Sequence, residues 1–255
     1  MTSQDTDRAD LDIVEMPAKA VAAYWLSLRK LMDGRKSARI VQEEMASVTE
    51  PTIRLLLDTA FGSNLPEEVV RRLYAASRRR QLADLRRKLD CMDRTLRAML
   101  SGDNPQRVLS LATALFVVPP ARETAIMERA YALVEKPPAV ADAPAADPAA
   151  IDHGLDAAVL LVRLMYCLLV VRREGRESCR RLAGSSRSLF FAEGLGLVAD
   201  GFDEAFLHRR LTLHRRSILV DAAQKIILSE ELCLGLRAKY AYEDLWRVAR
   251  AHLSR

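Results

Sequence analysis

Histidine, cysteine and paired carboxylates are the side chains best able to do chemistry, and their spacing in this chain argues against it. The four histidines are His153, His208, His214 and His252, and no two stand four residues apart. The HxxxH or HExxH pairing that sets two imidazoles on one helix face to hold zinc is therefore missing. His208 and His214 are six apart, on different faces of a helix, and are expected at the surface. Cys91, Cys167, Cys179 and Cys233 contain no CxxC pair and are expected as buried thiols. Glu43-Glu44 and Glu230-Glu231 are adjacent in sequence and diverge on a helix. Gly194-Leu-Gly196 is a fragment of a dinucleotide fingerprint whose third glycine position holds Ala199, with no strand before it. Gly184-Ser-Ser186 lacks the GxSxG of a nucleophile elbow. The sequence thus predicts no catalytic residue, no metal ligand and no cofactor.

Arginine is the one chemically distinctive residue left. Arg71-Arg72, Arg78-Arg79-Arg80 and Arg86-Arg87-Lys88 recur at intervals of seven or eight and share roughly one helix face. Such a face can neutralise phosphates, but Tyr74 is its only aromatic residue and no nucleic-acid-binding signature accompanies it. A solvated helix face, an acidic protein partner, and nucleic acid or an anionic membrane all fit it. The net charge of +5 permits each of these and demands none.

The elements that carry these residues read as helices. Half of the 255 residues are hydrophobic, 29% are charged and only 5% are aromatic. Ala, Leu and Arg dominate, which favours helix, and no sustained alternating run suggests a strand. Residues 157–171 are apolar but short for a membrane span and carry Arg163 centrally, so a buried core helix is expected. The first residues lack the layout of a signal peptide, and the protein is expected to be soluble. A helix is predicted from Ala157 to about Leu182, broken by Gly184-Ser-Ser186. Another runs from Ser188 to Ala199 and stops at Asp200-Gly201, with Asp203 capping the next. On that next helix Leu207, Leu211, Ile218 and Ala222 share a side. Upstream, Asn64-Leu-Pro-Glu67 reads as a cap before a long helix, along which Leu82, Leu85, Leu89, Met92 and Leu96 form a packing seam.

Residues 136–150 are rich in Ala, Pro and Asp and read as a linker. The expected organisation is a disordered stretch 1–16, an N-terminal helical domain 17–135, the linker, and a C-terminal helical domain 151–255. The two domains echo each other. Gly34-Arg-Lys-Ser-Ala-Arg39 matches Gly175-Arg-Glu-Ser-Cys-Arg180, and Arg71-Arg-Leu73 matches Arg209-Arg-Leu211. Arg78-Arg79 corresponds to Arg215-Arg216. The order of the motifs is kept, as a duplication would keep it. The fold class expected is all-α: two related helical bundles joined by the linker.

The stretch from Arg172 to Glu204 carries the most specific signal. Arg172-Arg-Glu-Gly175 is followed, nineteen residues after its glycine, by Gly194 within Phe190-Phe-Ala-Glu-Gly-Leu-Gly-Leu-Val-Ala-Asp-Gly-Phe-Asp203. This resembles the cytoplasmic region of flagellar stator proteins of the MotA type, approximately R-x-E-G followed by F-x-x-x-G-L-x-x-V-x-D-G-x-D. On that resemblance Gly175, Phe190, Gly194, Asp200, Gly201 and Asp203 are structural motif positions.

In such stators an arginine before the E-G pair and a glutamate eight residues later contact the rotor. The arginine position matches Arg172, whereas the glutamate position holds Arg180, a reversed charge. In the first half the equivalent positions are Leu31 and Arg39. The chain also lacks the four spans of a proton-driven stator. The resemblance therefore implies a soluble, duplicated relative of the cytoplasmic region, a bacterial cytoplasmic protein at or near the inner-membrane flagellar motor. It would be a non-enzymatic interaction protein, with Arg172, Arg176, Arg180, Arg209 and Arg210 engaging an acidic surface on a rotor or stator component. The alternative is a helical nucleic-acid-binding regulator using the Arg71–Lys88 face; a peripheral membrane protein is a third reading.

Overall fold

The computed structural model describes residues 11–33, 37–136 and 147–253. Among the described residues there are eleven α-helices and no strand, so the chain is all-α. The helices are α1 (Ala18–Met32), α2 (Ser37–Ser47), α3 (Pro51–Phe61), α4 (Glu67–Ser101), α5 (Pro105–Thr113) and α6 (Glu123–Glu135), then α7 (Ala157–Glu174), α8 (Ser178–Ser185), α9 (Leu189–Ala199), α10 (Glu204–Arg237) and α11 (Tyr242–His252). None of them is long and apolar enough to cross a membrane. The apolar helix α7 is a core helix, and Arg163 in its middle donates to the Ala150 carbonyl at 2.5 Å.

Local chemistry sets the boundaries. Asn104 and Glu50 cap helices whose first residue is proline, which supplies a fixed φ and lacks the N–H that would go unpaired there. The Ser188 hydroxyl accepts from Phe191 N at the start of α9, and Asp203 Oδ1 accepts from Phe206 N at 2.9 Å at the start of α10. Two expectations need correction. The helix beginning at Ala157 ends at Glu174, because Gly175 takes φ +84° and turns the chain before α8. Asn64 is not the cap of α4: the helix begins at Glu67, and the carbonyl of Pro66 accepts from Val69 N and Val70 N.

The chain divides into two compact units that cut across the expected domains. Unit 1 comprises residues 1–82 and 218–255; unit 2 comprises residues 83–217. Both boundaries fall inside the two long helices, so each unit takes the first part of one and the last part of the other. The seam on α4 behaves as its spacing predicts, with Leu85, Leu89, Met92 and Leu96 buried and Leu82 partly so. In unit 1, Trp25, Ile53, Leu56, Leu57 and Tyr74 pack with Leu228 and Leu232 in one hydrophobic core. In unit 2, α6 lies along α7, α5 touches both, and α8 packs on α9. Most of the expected linker, residues 137–146, lies outside the described residues. Its last residues, Ala149 and Ala150, are buried, and the Ile151 carbonyl accepts from Arg187 N and Ser188 N at 2.9 Å.

The two halves of the chain run through helices of similar order and length. Glu67 and Glu204 open helices of 35 and 34 residues at an offset of 137. At that same offset burial repeats along both helices: Val70 with Leu207, Tyr74 with Leu211, Leu89 with Ile226, and Met99 with Leu236. The buried acids Asp93 and Glu230 correspond as well, as do their partners Arg215 and Arg78. Burial therefore shifts the pairing of Arg71-Arg72 with Arg209-Arg210 by one residue, to Arg72 with Arg209.

Candidate functional site

The Arg172–Glu204 stretch forms the end of α7, all of α8 and α9, and the first residue of α10, all in unit 2. Its apolar motif residues are packing residues. Phe190, Gly194, Leu195 and Val198 are buried along α9. A Cβ at Gly194 would lie 2.2 Å from Leu96 Cδ1 and 3.1 Å from Cδ2, so the glycine permits a close approach of Leu96 to the helix. Asp200 is the C-cap of α9, and Gly201 follows at φ +75°, a left-handed turn that side chains resist. Gly175, Gly201 and Asp203 thus make turns and a cap.

Most of the arginines expected to face a partner have internal work. Arg176 donates to the Leu100 carbonyl at 3.2 Å and Arg172 to the Asp103 carbonyl at 3.3 Å, both at the C-terminal end of α4. Arg173 donates to the Val134 carbonyl near the end of α6. These contacts set positive charge against helix ends whose last carbonyls lack helical partners. Arg180 bridges Glu177 and Asp200, and the Asp200 carboxylate holds its guanidinium above the usual range. Arg173 and Arg181 flank Glu174 and hold its carboxyl below the usual range. Arg210 pairs with Glu193, whose other oxygen lies 2.7 Å from His214 Nδ1. Arg209 is the exception: it is exposed and has no ion pair among the described residues.

The surroundings of Arg209 were not singled out from sequence. Phe202 and Phe206 stack with ring centroids 4.8 Å apart, and they are 41% and 43% exposed. Leu213 follows at 58% exposed, and Arg216 is exposed without an ion pair among the described residues. The signal lay in Phe206 and Leu213, one heptad apart and opposite the buried Leu207–Leu211 side. His208 is exposed as expected, while His214 is half-buried.

On α4 the basic clusters are partly consumed. Arg71 pairs with Glu67 and Glu231, and Arg78 with the buried Glu230. Arg87 and Lys88 pair with Asp84. Burial pushes Glu230 up to about 7 against the opposing charge of Arg78, and burial likewise raises Asp93 beside Arg97 and Arg215. One carboxylate oxygen of each, Glu230 Oε1 and Asp93 Oδ1, is buried without a hydrogen-bond partner. Sequence reasoning placed neither acid in the interior.

Unit 1 contains a cleft of about 580 Å³ where α1, α3 and α10 end. Arg29 there donates to the Tyr240 carbonyl and pairs with Asp33, and Arg237 donates to the Leu65 carbonyl. Its guanidinium groups serve the carbonyls of loops and helix ends, and Ser63, its hydroxyl side chain, donates to the Thr59 carbonyl. The four cysteines are buried and free. Comparison with protein-family models, curated proteins and solved structures gives no match.

Proposed function

We propose that this protein is a non-enzymatic interaction protein, built from two copies of one helical module and docking on a component of the flagellar motor or its stator. The observation that supports the reading is the folding of the Arg172–Glu204 motif as one packed stretch. Its glycines, cap and buried Phe190 each occupy a position that the resemblance assigns to structure. The duplication is supported by the shared offset of 137 in helix start, burial and buried Arg–acid pairs. Arg172, Arg176, Arg180 and Arg210 make contacts within the chain yet keep exposed surface, and Arg209 is exposed with no ion pair among the described residues, so all five remain candidates for docking.

The nucleic-acid reading draws on Arg72, Arg79 and Arg80, which are exposed without ion pairs among the described residues. Of their neighbours, Arg71 and Arg78 pair with Glu231 and Glu230, while Arg87 and Lys88 share Asp84. Fewer free cations mean fewer phosphates engaged and a shallow salt dependence. Affinity capture of the tagged full-length chain from its host, with partners identified by mass spectrometry, tests the motor reading. Specific enrichment of rotor or stator proteins is expected. Recovery of nucleic acid or transcription machinery in their place would overturn it.

A further inference from the structure

We infer that the outer face of the first half of α10, formed by Phe206, Arg209, Leu213 and Arg216 with Phe202 from the preceding turn, docks an amphipathic helix of another protein that carries acidic residues beside its apolar stripe. The inference rests on the reading of this chain as an interaction protein and names the partner's chemistry. Phe206, Arg209, Leu213 and Arg216 recur at intervals of three and four and so line one side of the helix. From Phe206 to Arg216 the stripe is about 15 Å long at the α-helical rise, enough to meet nearly three turns of a second helix.

Exposure alone would say little, since single apolar residues are common on surfaces. Here two stacked aromatic rings and, two turns further along the same side, an exposed leucine line the helix, and aromatic residues with arginine are the residues that anchor interfaces. Charge decides the occupant. Arg210 and Arg215, on the inner side, are matched by Glu193 and Asp90. Arg209 and Arg216, on the outer side, meet no carboxylate among the described residues. A second copy of the chain on this face would bring the same arginines together, which electrostatic complementarity disfavours. The chain's own segments outside the described residues are poorly suited, because residues 1–10 offer Met1 and residues 137–146 offer Val140 as their only large apolar side chain. An acidic amphipathic helix satisfies both the apolar and the charged positions.

The corresponding positions in the first half are Leu65, Val69, Arg72, Ala76 and Arg79. The two arginines recur, but smaller side chains replace both phenylalanines and the leucine. That face is an internal control: equal charge with less apolar surface.

The test uses the full-length chain in its host with the photo-crosslinking amino acid p-benzoylphenylalanine in place of Leu213. The crosslinked peptide is sequenced by mass spectrometry. The expected product joins a peptide of another protein in which Asp or Glu flanks apolar residues at helical spacing. Arg209→Glu with Arg216→Glu is expected to lower its yield about tenfold, the scale of two interfacial charges reversed. Arg209→Lys with Arg216→Lys restores it, and Arg72→Glu with Arg79→Glu leaves it unchanged. Unaltered circular dichroism shows that the variants fold. A crosslink to this chain's own peptides, to nucleic acid or to lipid overturns the inference, as does no crosslink or a yield indifferent to charge. A crosslinked acidic helix from a protein outside the motor sinks the motor reading alone. Motor proteins in the affinity capture without a crosslink at position 213 sink this inference alone.

Discussion

Two glycines two residues apart on α9 make opposite predictions. Gly194 and Gly196 both lie inside the helix, where glycine costs about 1 kcal/mol relative to alanine. Replacing either therefore gains helix propensity. At Gly196 nothing stands within 4 Å of a built Cβ, so the gain is unopposed. At Gly194 the Cβ meets three atoms of Leu96, at 2.2, 3.1 and 3.2 Å. Leu96 is fully buried, so its side chain cannot swing into solvent and the helices must shift or the leucine must leave its rotamer. Overpacking of that kind costs about 1–3 kcal/mol.

After subtracting the propensity gain, Gly194→Ala is expected to destabilise by up to about 2 kcal/mol, while Gly196→Ala stabilises by about 0.5–1 kcal/mol. At about 2–4 °C per kcal/mol, thermal melting should separate the two by several degrees and in opposite directions. Leu96→Ala alone should cost about 2–5 kcal/mol, but less in the Gly194→Ala background, where the new methyl occupies part of the cavity. The double-mutant cycle should give a coupling of about 1–3 kcal/mol. If Gly194→Ala melts with Gly196→Ala, or if the coupling is absent, the close approach of Leu96 to α9 is wrong. The structural account of the glycine in the stator-like motif then goes with it.

Three further outcomes follow from buried polar groups. Arg78→Ala strands the buried Glu230 carboxylate and is expected to cost about 3–5 kcal/mol in chemical denaturation, whereas Arg215→Ala costs less because Arg97 still pairs with Asp93 at 3.3 Å; a near-neutral Arg78→Ala would show that its pair carries no weight. Glu230 has an ordinary pKa of 4.5 and a folded-state value of about 7, so between those pH values the folded state holds a proton that the unfolded state has released. Stability from this group is therefore present below pH 4.5 and lost as pH rises through 7, a loss on the order of 1–3 kcal/mol, and Glu230→Gln should flatten that slope. Burial pushes the Cys91 and Cys233 thiols up to about 12 and Cys179 up to about 11, so none of the cysteines should react with a thiol reagent at pH 8 until the protein unfolds.

Where the sequence was readable, short-range rules were at work. The seam from Leu85 to Leu96, the Ser188 and Asp203 caps, the turn at Gly201 and the buried cysteines all follow from local spacing and residue type. The break at Gly175 escaped because the helical pattern continues through Arg180; only the backbone's positive φ reveals it. The destinations of the arginines were not legible at all. Arg172 and Arg176 reach carbonyls roughly seventy residues away in sequence, and no local pattern encodes a contact of that range. Arg209 and Arg210 look equivalent in sequence. The helix turns one toward Glu193 and the other toward solvent, and that difference separates a paired cation from one with no ion pair among the described residues.

The exchange of long-helix halves between the two units gives the buried Arg78–Glu230 pair a purpose beyond stability. In unit 1 the first part of α4 meets the last part of α10 through Arg78 and Glu230; in unit 2 the first part of α10 meets the last part of α4 through Arg215 and Asp93. Apolar seams that repeat every three or four residues tolerate a slip of one heptad with little loss. A buried charge that must find its partner does not, because a slip leaves it unpaired at about 3–5 kcal/mol. The Arg78–Glu230 pair would set the register of the seam in unit 1, whereas in unit 2 a slip leaves Asp93 with Arg97 of its own helix. The prediction is that Arg78→Leu with Glu230→Met, which removes both charges at similar volume, leaves the melting temperature equal or higher but broadens the amide spectrum by NMR as more than one register is populated. A double variant that is both as stable and as uniform as the parent would refute a register role and leave the pair without one.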